Sequence, residues 1–143
     1  ELDEKINGNA LLRDKIIVSD KTRDIGKTNR YKLGSVCEVD GFLLTAFTKF
    51  DGTTRASLYM DDFIYFLLNF WNEIDIIYID IAIAIPLMGS GITRLKDYSM
   101  VTEQELLELI IWSFKLSRVK FAYPSKVTIM IHESKKIKLT FIN

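Results

Sequence analysis

The hydrophobic pattern changes period along this chain, and the changes mark where strands and helices alternate. Two runs rich in β-branched and aromatic residues lie within Leu33–Phe50, and Asp40-Gly41 separates them. Asp-Gly favours a two-residue hairpin turn, because glycine accepts the positive φ that such a turn requires. From Ile79 to Leu87, isoleucine occupies one face and mostly alanine the other. This pattern predicts a central strand that is covered on both sides.

Two long helices are predicted on either side of that strand. The first runs from Ser57, which is placed to cap it, to Ile74. Its apolar residues are too many to lie on a single face of the helix. We therefore expect it to pack against more than the sheet, or against another chain. The second helix opens with the capping box Thr102-Glu103-Gln104-Glu105 and ends near Leu116.

The remaining segments complete an α/β pattern. They are a weak helix over Leu2–Leu12, a strand over Lys15–Ser19, a polar loop over Asp20–Lys32, and two closing strands over Lys126–His132 and Lys136–Ile142. Strands that alternate with helices after an initial hairpin predict a three-layer domain with a mixed β-sheet between helices. The length of 143 residues predicts one domain spanning residues 1–143.

Charge and cysteine content exclude several classes of partner. Lys plus Arg and Asp plus Glu both number 19, and this balance argues against a dedicated nucleic-acid binder. The single cysteine, Cys37, excludes an internal disulfide and a cysteine-based zinc site, and favours a buried thiol in a reducing, cytoplasmic compartment. The least charged stretch, residues 81–93, is shorter than a membrane-spanning helix, so we expect no membrane contact by this chain. Because the first residue is Glu1, we also expect a longer parent protein.

The loop that follows the central strand carries the clearest chemical signal. Two glycines flank a serine where the strand ends, so that consecutive backbone N–H groups can turn toward one anion. A serine hydroxyl and an arginine add further donors, although a simple turn would also fit the motif. The predicted ligand-binding residues are Met88, Gly89, Ser90, Gly91, Ile92, Thr93 and Arg94.

The segment Ile85–Ile92 resembles the phosphate loop of macro domains. The order of hairpin, helix and strand is similar as well, and the closer match is to the macro-like domain in the effector of Thoeris anti-phage systems. This resemblance covers residues 31–131, including Leu44–Asp51, Asn69–Trp71 and Glu105–Phe114. Residues 1–30 match it poorly, so the macro fold is expected to be incomplete at its N-terminal end.

The resemblance implies a sensor of an NAD-derived signal. Such a domain binds ADP-ribose or a conjugate of it, made by a TIR-domain enzyme, with the diphosphate and distal ribose held at Gly89–Ile92. It further implies a homo-oligomeric effector, tethered to the inner membrane by N-terminal helices outside this chain. The first macro strand and its adenine-contacting acid should lie before Tyr31, where residues 1–30 show no clear version of them.

Other candidate residues indicate structure rather than catalysis. The only histidine, His132, is interpreted as a structural or surface residue, with an adenine contact as the alternative. Asp61-Asp62 fits the first turn of a helix, and Lys135, Lys136 and Lys138 fit a solvated strand edge. We therefore predict no catalytic residue, no metal site and no cofactor. An ADP-ribosyl hydrolase, or an interaction domain with a dead pocket, remain the alternatives.

Overall fold

The computed structural model describes residues 1–22, 27–50, 55–77, 82–91, 95–97, 101–117 and 126–136. After the first helix and a 3-10 helix at Ala10–Lys15, six short strands follow one another, and helices then alternate with strands to the end of the described residues. In chain order the elements are α1 (Leu2–Gly8), β1 (Ile16–Ser19), β2 (Asn29–Tyr31), β3 (Val36–Val39), β4 (Phe42–Thr45), β5 (Lys49–Phe50), β6 (Ala56–Ser57), α2 (Met60–Ile77), β7 (Ala82–Pro86), α3 (Glu103–Leu116), β8 (Lys126–Met130) and α4 (Glu133–Lys136).

Parallel and antiparallel pairing both occur, but in separate sheets of two strands among the described residues. Strands β7 and β8 are parallel, from the pair Ala82 and Lys126 to the pair Pro86 and Met130. The pairs β1–β2, β3–β4 and β5–β6 are antiparallel. Small sheets with flanking helices give the domain the α/β, macro-like class that we predicted.

The N-terminal elements agree only in part with the sequence pattern. The predicted helix over Leu2–Leu12 ends at Gly8, and the 3-10 helix follows it. The strand β1 is confirmed. The prediction of a loop throughout Asp20–Lys32 is wrong, because Asn29–Tyr31 pairs with β1. The polar sequence of Asn29–Tyr31 gives no local signal for a strand, and its pairing with β1 is a tertiary contact.

The hairpin β3–β4 forms as the sequence predicts. Asp40 has φ 53° and Gly41 has φ 81°, the two positive values of a type I′ turn. The register pairs Val39 with Phe42 and Val36 with Thr45. Side chains therefore alternate between the two faces of the hairpin.

Helix α2 starts three residues later than the pattern indicated. Ser57 lies in β6, where its hydroxyl donates to the carbonyl oxygen of Lys49 (3.3 Å), so the prediction of Ser57 as a cap is wrong. The Met60 N–H instead donates to the carboxylate of Asp97, at 3.0 and 3.2 Å. A carboxylate from a distant loop thus takes the capping role at the positive end of the helix.

Most of the large apolar side chains of α2 are covered within the chain, although Tyr65 and Ile76 are exposed. Helix α3 packs along α2, and the Trp71 indole N–H donates to Ser113 Oγ at 2.9 Å. The expected packing beyond one sheet face is confirmed, and α2 needs no second chain to cover these side chains. The apolar residues of α2 that are buried are Phe63, Phe66, Leu67, Phe70, Trp71 and Ile74.

Strand β7 is buried on one face only. Ile83 and Ile85 are buried, whereas Ala82, Ala84 and Pro86 are exposed. The prediction that both faces are covered is therefore wrong for the described part of this strand. The alanine face remains open and forms one wall of the site described below.

The C-terminal half begins with a helix that forms as predicted. The Glu105 N–H donates to Thr102 Oγ1 (3.2 Å), and the Thr102 N–H donates to Glu105 Oε2 (2.8 Å), which confirms the capping box. Beyond β8, Lys136 belongs to α4, so the prediction of a strand starting there is wrong. The rest of the predicted strand, with Lys138, lies outside the described residues. Among the helices that the structure describes, none is long and apolar enough to cross a membrane.

Candidate functional site

A cleft opens between the β3–β4 hairpin and β7, and it extends to the loop at the carboxyl end of β7. Its volume is about 1180 Å³. The exposed alanine face of β7 forms one wall, and the hairpin forms the other. Ligands of α/β proteins bind at the carboxyl ends of strands. The cleft is lined by Glu38, Gly41, Phe42, Leu43, Thr45, Phe47, Phe70, residues 82–91 and Met130.

The loop after β7 forms a tight turn at the end of this cleft. The Leu87 N–H donates to the carbonyl oxygen of Met130 (3.2 Å), so the parallel pairing continues one residue past β7. The Leu87 carbonyl oxygen then accepts from Ser90 twice, from its N–H (3.4 Å) and from its hydroxyl (2.7 Å). The Ser90 hydroxyl thus closes the turn as well as lining the cleft.

The two glycines of this loop have different structural roles. Gly89 has φ +86°, and a Cβ there would lie 3.2 Å from Leu106 Cδ2 and 3.7 Å from Phe63 Cζ. It is required for the backbone conformation and for close packing against α3 and α2. A Cβ at Gly91 would meet no atom of the described residues within 4 Å. Gly91 therefore leaves open space in which a ligand can approach the backbone.

The hairpin contributes a polar group that the sequence analysis missed. Thr45 Oγ1 is buried, and it has no hydrogen-bond partner within the described part of the chain. Thr45 lines the cleft opposite the loop. Glu38 also lines it and accepts the Gly41 N–H (2.8 Å) across the hairpin turn. The alternation of side chains along β3 and β4 predicts that Glu38 and Thr45 share one face of the hairpin. That this face lies opposite β7 is decided by the tertiary fold.

The cleft walls are otherwise mostly apolar and aromatic. Phe47 and Phe70 line the cleft and also belong to the aromatic cluster of the core, where the Phe47 ring lies 4.8 Å from the Phe66 ring. Apolar walls with a few polar groups are typical of small-molecule sites. The arrangement can enclose a ring or sugar between the walls and offer backbone and hydroxyl donors to a polar group at the loop.

Four of the seven predicted ligand-binding residues line this one cleft. They are Met88, Gly89, Ser90 and Gly91. The other three, Ile92, Thr93 and Arg94, lie outside the described residues. Contact of the loop with a ligand stays a prediction.

The other sequence candidates lie elsewhere. His132 is exposed, and its Nδ1 accepts the Ser134 N–H (3.2 Å) and contacts Ser134 Oγ (2.8 Å). Asp61 and Asp62 lie in the first turn of α2, where Asp62 accepts from Lys49 Nζ at 2.7 Å. Both acids therefore fit the structural interpretation.

The described residues show neither a metal site nor a reactive thiol. No group of three or more His, Cys, Asp or Glu side chains in the described ranges could hold a metal ion. Cys37 is buried, as expected, and burial raises the pKa of its thiol. The thiol is therefore held in its neutral, weakly nucleophilic form.

Comparison with known proteins places the chain in a family. A family described as "Thoeris protein ThsA, Macro domain" matches residues 1–132, which include the first thirty residues. The chain is also 44% identical over 142 residues to the Thoeris protein ThsA of Bacillus amyloliquefaciens (strain Y2), and this match covers 99% of the chain and 47% of the relative. The chain thus spans about half the length of the curated relative. These matches confirm the resemblance to the macro-like domain of Thoeris systems, and the chain belongs to the family of ThsA Macro domains.

Proposed function

We propose that this domain is the sensor of an anti-phage defence protein and binds ADP-ribose or a conjugate of it in the cleft beside β7. One observation carries the proposal. In a chain of the ThsA Macro family, the glycine-containing turn at the carboxyl end of β7 opens onto a cleft of about 1180 Å³. Glycine-rich turns at strand ends suit phosphates because their backbone N–H groups are accessible.

The cleft supplies different chemistry at its two ends. At the loop, Gly91 leaves the backbone open, and Ile92, Thr93 and Arg94 are proposed to complete the diphosphate and distal-ribose contacts. Along the walls, apolar side chains and the Phe47 and Phe70 rings can pack against the less polar parts of the ligand. Charge-assisted hydrogen bonds to phosphate are the strongest interactions in such a site.

The same proposal extends to the parent protein. It concerns the source of the signal, the oligomeric state and the location in the cell. A TIR-domain enzyme is the proposed source of the signal, which it makes from NAD. The parent protein is proposed to be a homo-oligomer, tethered to the inner membrane through a segment outside this chain, with this domain in the cytoplasm. Because the six buried apolar side chains of α2 pack within the chain, the proposal of self-association rests on the family resemblance and not on these side chains. Ligand binding would shift the population of the assembled states.

The domain is proposed to sense the nucleotide without turning it over. Hydrolysis needs a positioned acid or base near the scissile bond, a group that contributes about 10²–10⁴-fold in rate. Among the described residues that line the cleft, the one ionisable side chain is Glu38, which accepts the Gly41 N–H at the hairpin turn. The runner-up function, an ADP-ribosyl hydrolase, would need this or another group to activate water.

Calorimetry with ADP-ribose on paired glycine variants tests the binding proposal. Gly91→Val places a side chain whose Cβ meets no described residue within 4 Å, and it should weaken binding roughly tenfold to hundredfold by blocking a backbone donor to phosphate. Gly8→Val is the matched control, because Gly8 also has open space around it but lies at the end of α1. Equal affinity in wild type and Gly91→Val would sink the proposal, and no binding by the wild type would favour a dead pocket.

Turnover is tested on the full-length protein. ADP-ribose and its base conjugates are incubated with the protein and followed by chromatography, and the nucleotide should remain unchanged. Repeated turnovers that disappear in Glu38→Gln would show an enzyme and make the hydrolase function correct. Sedimentation with and without ADP-ribose tests the assembly, and a strict monomer in both conditions would contradict it.

A further inference from the structure

A second cavity lies on the opposite face of the β3–β4 hairpin. Because side chains alternate along each strand, the pair Cys37 and Leu44 faces away from the pair Glu38 and Leu43, which lines the cleft. Cys37 and Leu44 line this second cavity instead, which has a volume of about 410 Å³. Helix α1 and strand β2 close its other sides. We call it the hairpin cavity.

The floor of the hairpin cavity is apolar. Leu12 and Cys37 are buried there, and Ile6, Tyr31 and Leu44 pack around them. Protein interiors are close-packed, with few voids larger than a water molecule. A cavity of this volume falls in the range of pockets that hold small ligands, roughly 300–1,000 Å³.

Two buried hydroxyls at this cavity lack a partner in the described part of the chain, that of Ser35 and that of Thr45, which lines the cleft as well. Ser35 is 2% exposed, its N–H donates to the Lys32 carbonyl (3.0 Å), and its own carbonyl accepts the Ala46 N–H (3.0 Å). Its Oγ has no hydrogen-bond partner in the described part of the chain. Since Ser35 lies two residues before Cys37, its side chain is on the cavity face of the hairpin. A buried hydroxyl without a partner is unfavourable, so a group inside the cavity would stabilise it.

The rim of the cavity is polar but electrically balanced. Asn7 Oδ1 accepts from Asn29 Nδ2 (3.2 Å) and from the Tyr31 hydroxyl (3.1 Å). Lys27 and Asp3, which also line the cavity, form an ion pair with each other. The positive charge is therefore already matched by a carboxylate, and the rim favours a neutral ligand over a phosphate.

We propose that the hairpin cavity is a second binding site, for a small, neutral, largely apolar molecule that carries a hydrogen-bonding group. The apolar part packs on the floor formed by Leu12, Cys37 and Leu44, and the polar group pairs with the Ser35 hydroxyl. The site lies across the hairpin from the cleft in which we propose ADP-ribose binds, and Thr45 borders both. This second site does not depend on that proposal.

Cys37 reports occupancy of the site, because it lines the cavity and is the only cysteine of the chain. Alkylation of the full chain by a small thiol reagent is followed by intact mass, with nicotinamide and adenosine as the probes. At a probe concentration about ten times its Kd, the alkylation rate should fall about tenfold. ADP-ribose at saturation should leave the rate unchanged, which controls for general stabilisation of the fold.

Three variants locate the effect. Ser35→Ala should weaken probe binding roughly fivefold to tenfold, whereas Ser57→Ala, the same change at a serine remote from the cavity, should not. Ala46→Leu adds a side chain on the cavity face and should prevent protection altogether. Gly91→Val should leave protection by the probes unchanged even where it removes ADP-ribose binding, so the two sites fail independently.

Three outcomes would overturn the second site. One is that neither nicotinamide nor adenosine protects Cys37 at millimolar concentration. Another is that ADP-ribose displaces a bound probe, because the probe would then occupy the cleft. The third is full protection in Ala46→Leu, because protection would then arise away from the cavity.

Discussion

The two hydrophobic clusters of this domain differ in how completely they are packed. The larger one surrounds α2, where the Phe66 ring lies 5.6 Å from the Phe70 ring and Phe70 lies 5.1 Å from Trp71. The smaller one has three buried residues, Leu12, Cys37 and Val39, and borders the hairpin cavity. The closely packed larger cluster supports the loop after β7. The less completely packed N-terminal region leaves a cavity that has room for a ligand.

Contacts between described residues join these regions, among them those of Gly34 and Lys15 with α2. Gly34 approaches the backbone of α2, and Asn69 Nδ2 donates to the Leu33 carbonyl at 2.6 Å beside it. Lys15, from the N-terminal region, forms an ion pair with Glu73 on α2. Changes at these contacts test whether the two clusters fold as one unit.

The largest effect is expected from Gly34→Ala. Gly34 has φ +84°, and a Cβ there would lie 2.8 Å from both the Phe66 oxygen and the Phe70 nitrogen. Strain and overpacking together should cost about 3–5 kcal/mol of unfolding free energy, measured by urea titration. Gly41→Ala is the control. Gly41 has φ +81°, but a Cβ there would meet no described residue within 4 Å, so this variant should lose only the unfolding free energy that backbone strain costs. Equal losses of unfolding free energy in the two variants would show that Gly34 is not tightly packed against α2.

The next effect compares leucines in the two clusters. Leu67 is 1% exposed in the larger cluster, and Leu12 is 5% exposed beside the hairpin cavity. Leu67→Ala should cost about 4 kcal/mol of unfolding free energy and Leu12→Ala about 2, within the usual range for such changes. The Leu12 side chain has fewer neighbours to lose, because the cavity occupies part of its surroundings. If Leu12→Ala cost as much as Leu67→Ala, the two clusters would be equally well packed.

A smaller effect is expected at the ion pair between the regions. Lys15 is 27% exposed and Glu73 is 10% exposed at their side chains, so their attraction is only partly screened. A double-mutant cycle with Lys15→Met and Glu73→Gln should give a coupling of about 1 kcal/mol. The exposed pair Lys5–Asp40 is the matched control and should couple much more weakly. Similar coupling in both cycles would argue against a specific link.

The smallest effect concerns the pH response of the smaller cluster. Burial raises the pKa of the Cys37 thiol, so its alkylation should require a higher pH than that of an exposed cysteine. In the unfolded chain the thiol ionises at its ordinary, lower pKa. Stability should therefore be intact at neutral pH and fall slightly as the pH rises past that ordinary value. Cys37→Ala should lack this fall, and an identical alkaline decline in the variant would assign it to other groups.

Features set by neighbouring residues were predictable from the sequence. Asp40-Gly41 specifies its turn through two backbone angles, and Thr102 with Glu105 forms the capping box through groups three residues apart. The apolar pattern of α2 likewise indicated burial beyond one face. Each of these signals acts within one or two turns of the chain, so no tertiary information was needed.

Features set by distant residues were not predictable. Ser57 has the right chemistry for a cap, but in the fold its hydroxyl donates to the Lys49 carbonyl and Asp97 accepts the first N–H of α2. Strand β2 is polar, and only its pairing with β1 identifies it. Thr45 faces the cleft as a consequence of where the hairpin lies relative to β7.

By itself, the sequence determined the hairpin, the two long helices, the strand before Met88–Gly91 and the resemblance to Thoeris macro domains. These depend on local backbone preferences, hydrophobic period and a contiguous motif. The tertiary structure alone decided that Gly89 packs against Leu106 while Gly91 stays open, and that one hairpin face lines a cleft while the other lines a cavity. Such outcomes depend on contacts between residues far apart in the chain, which no local pattern encodes.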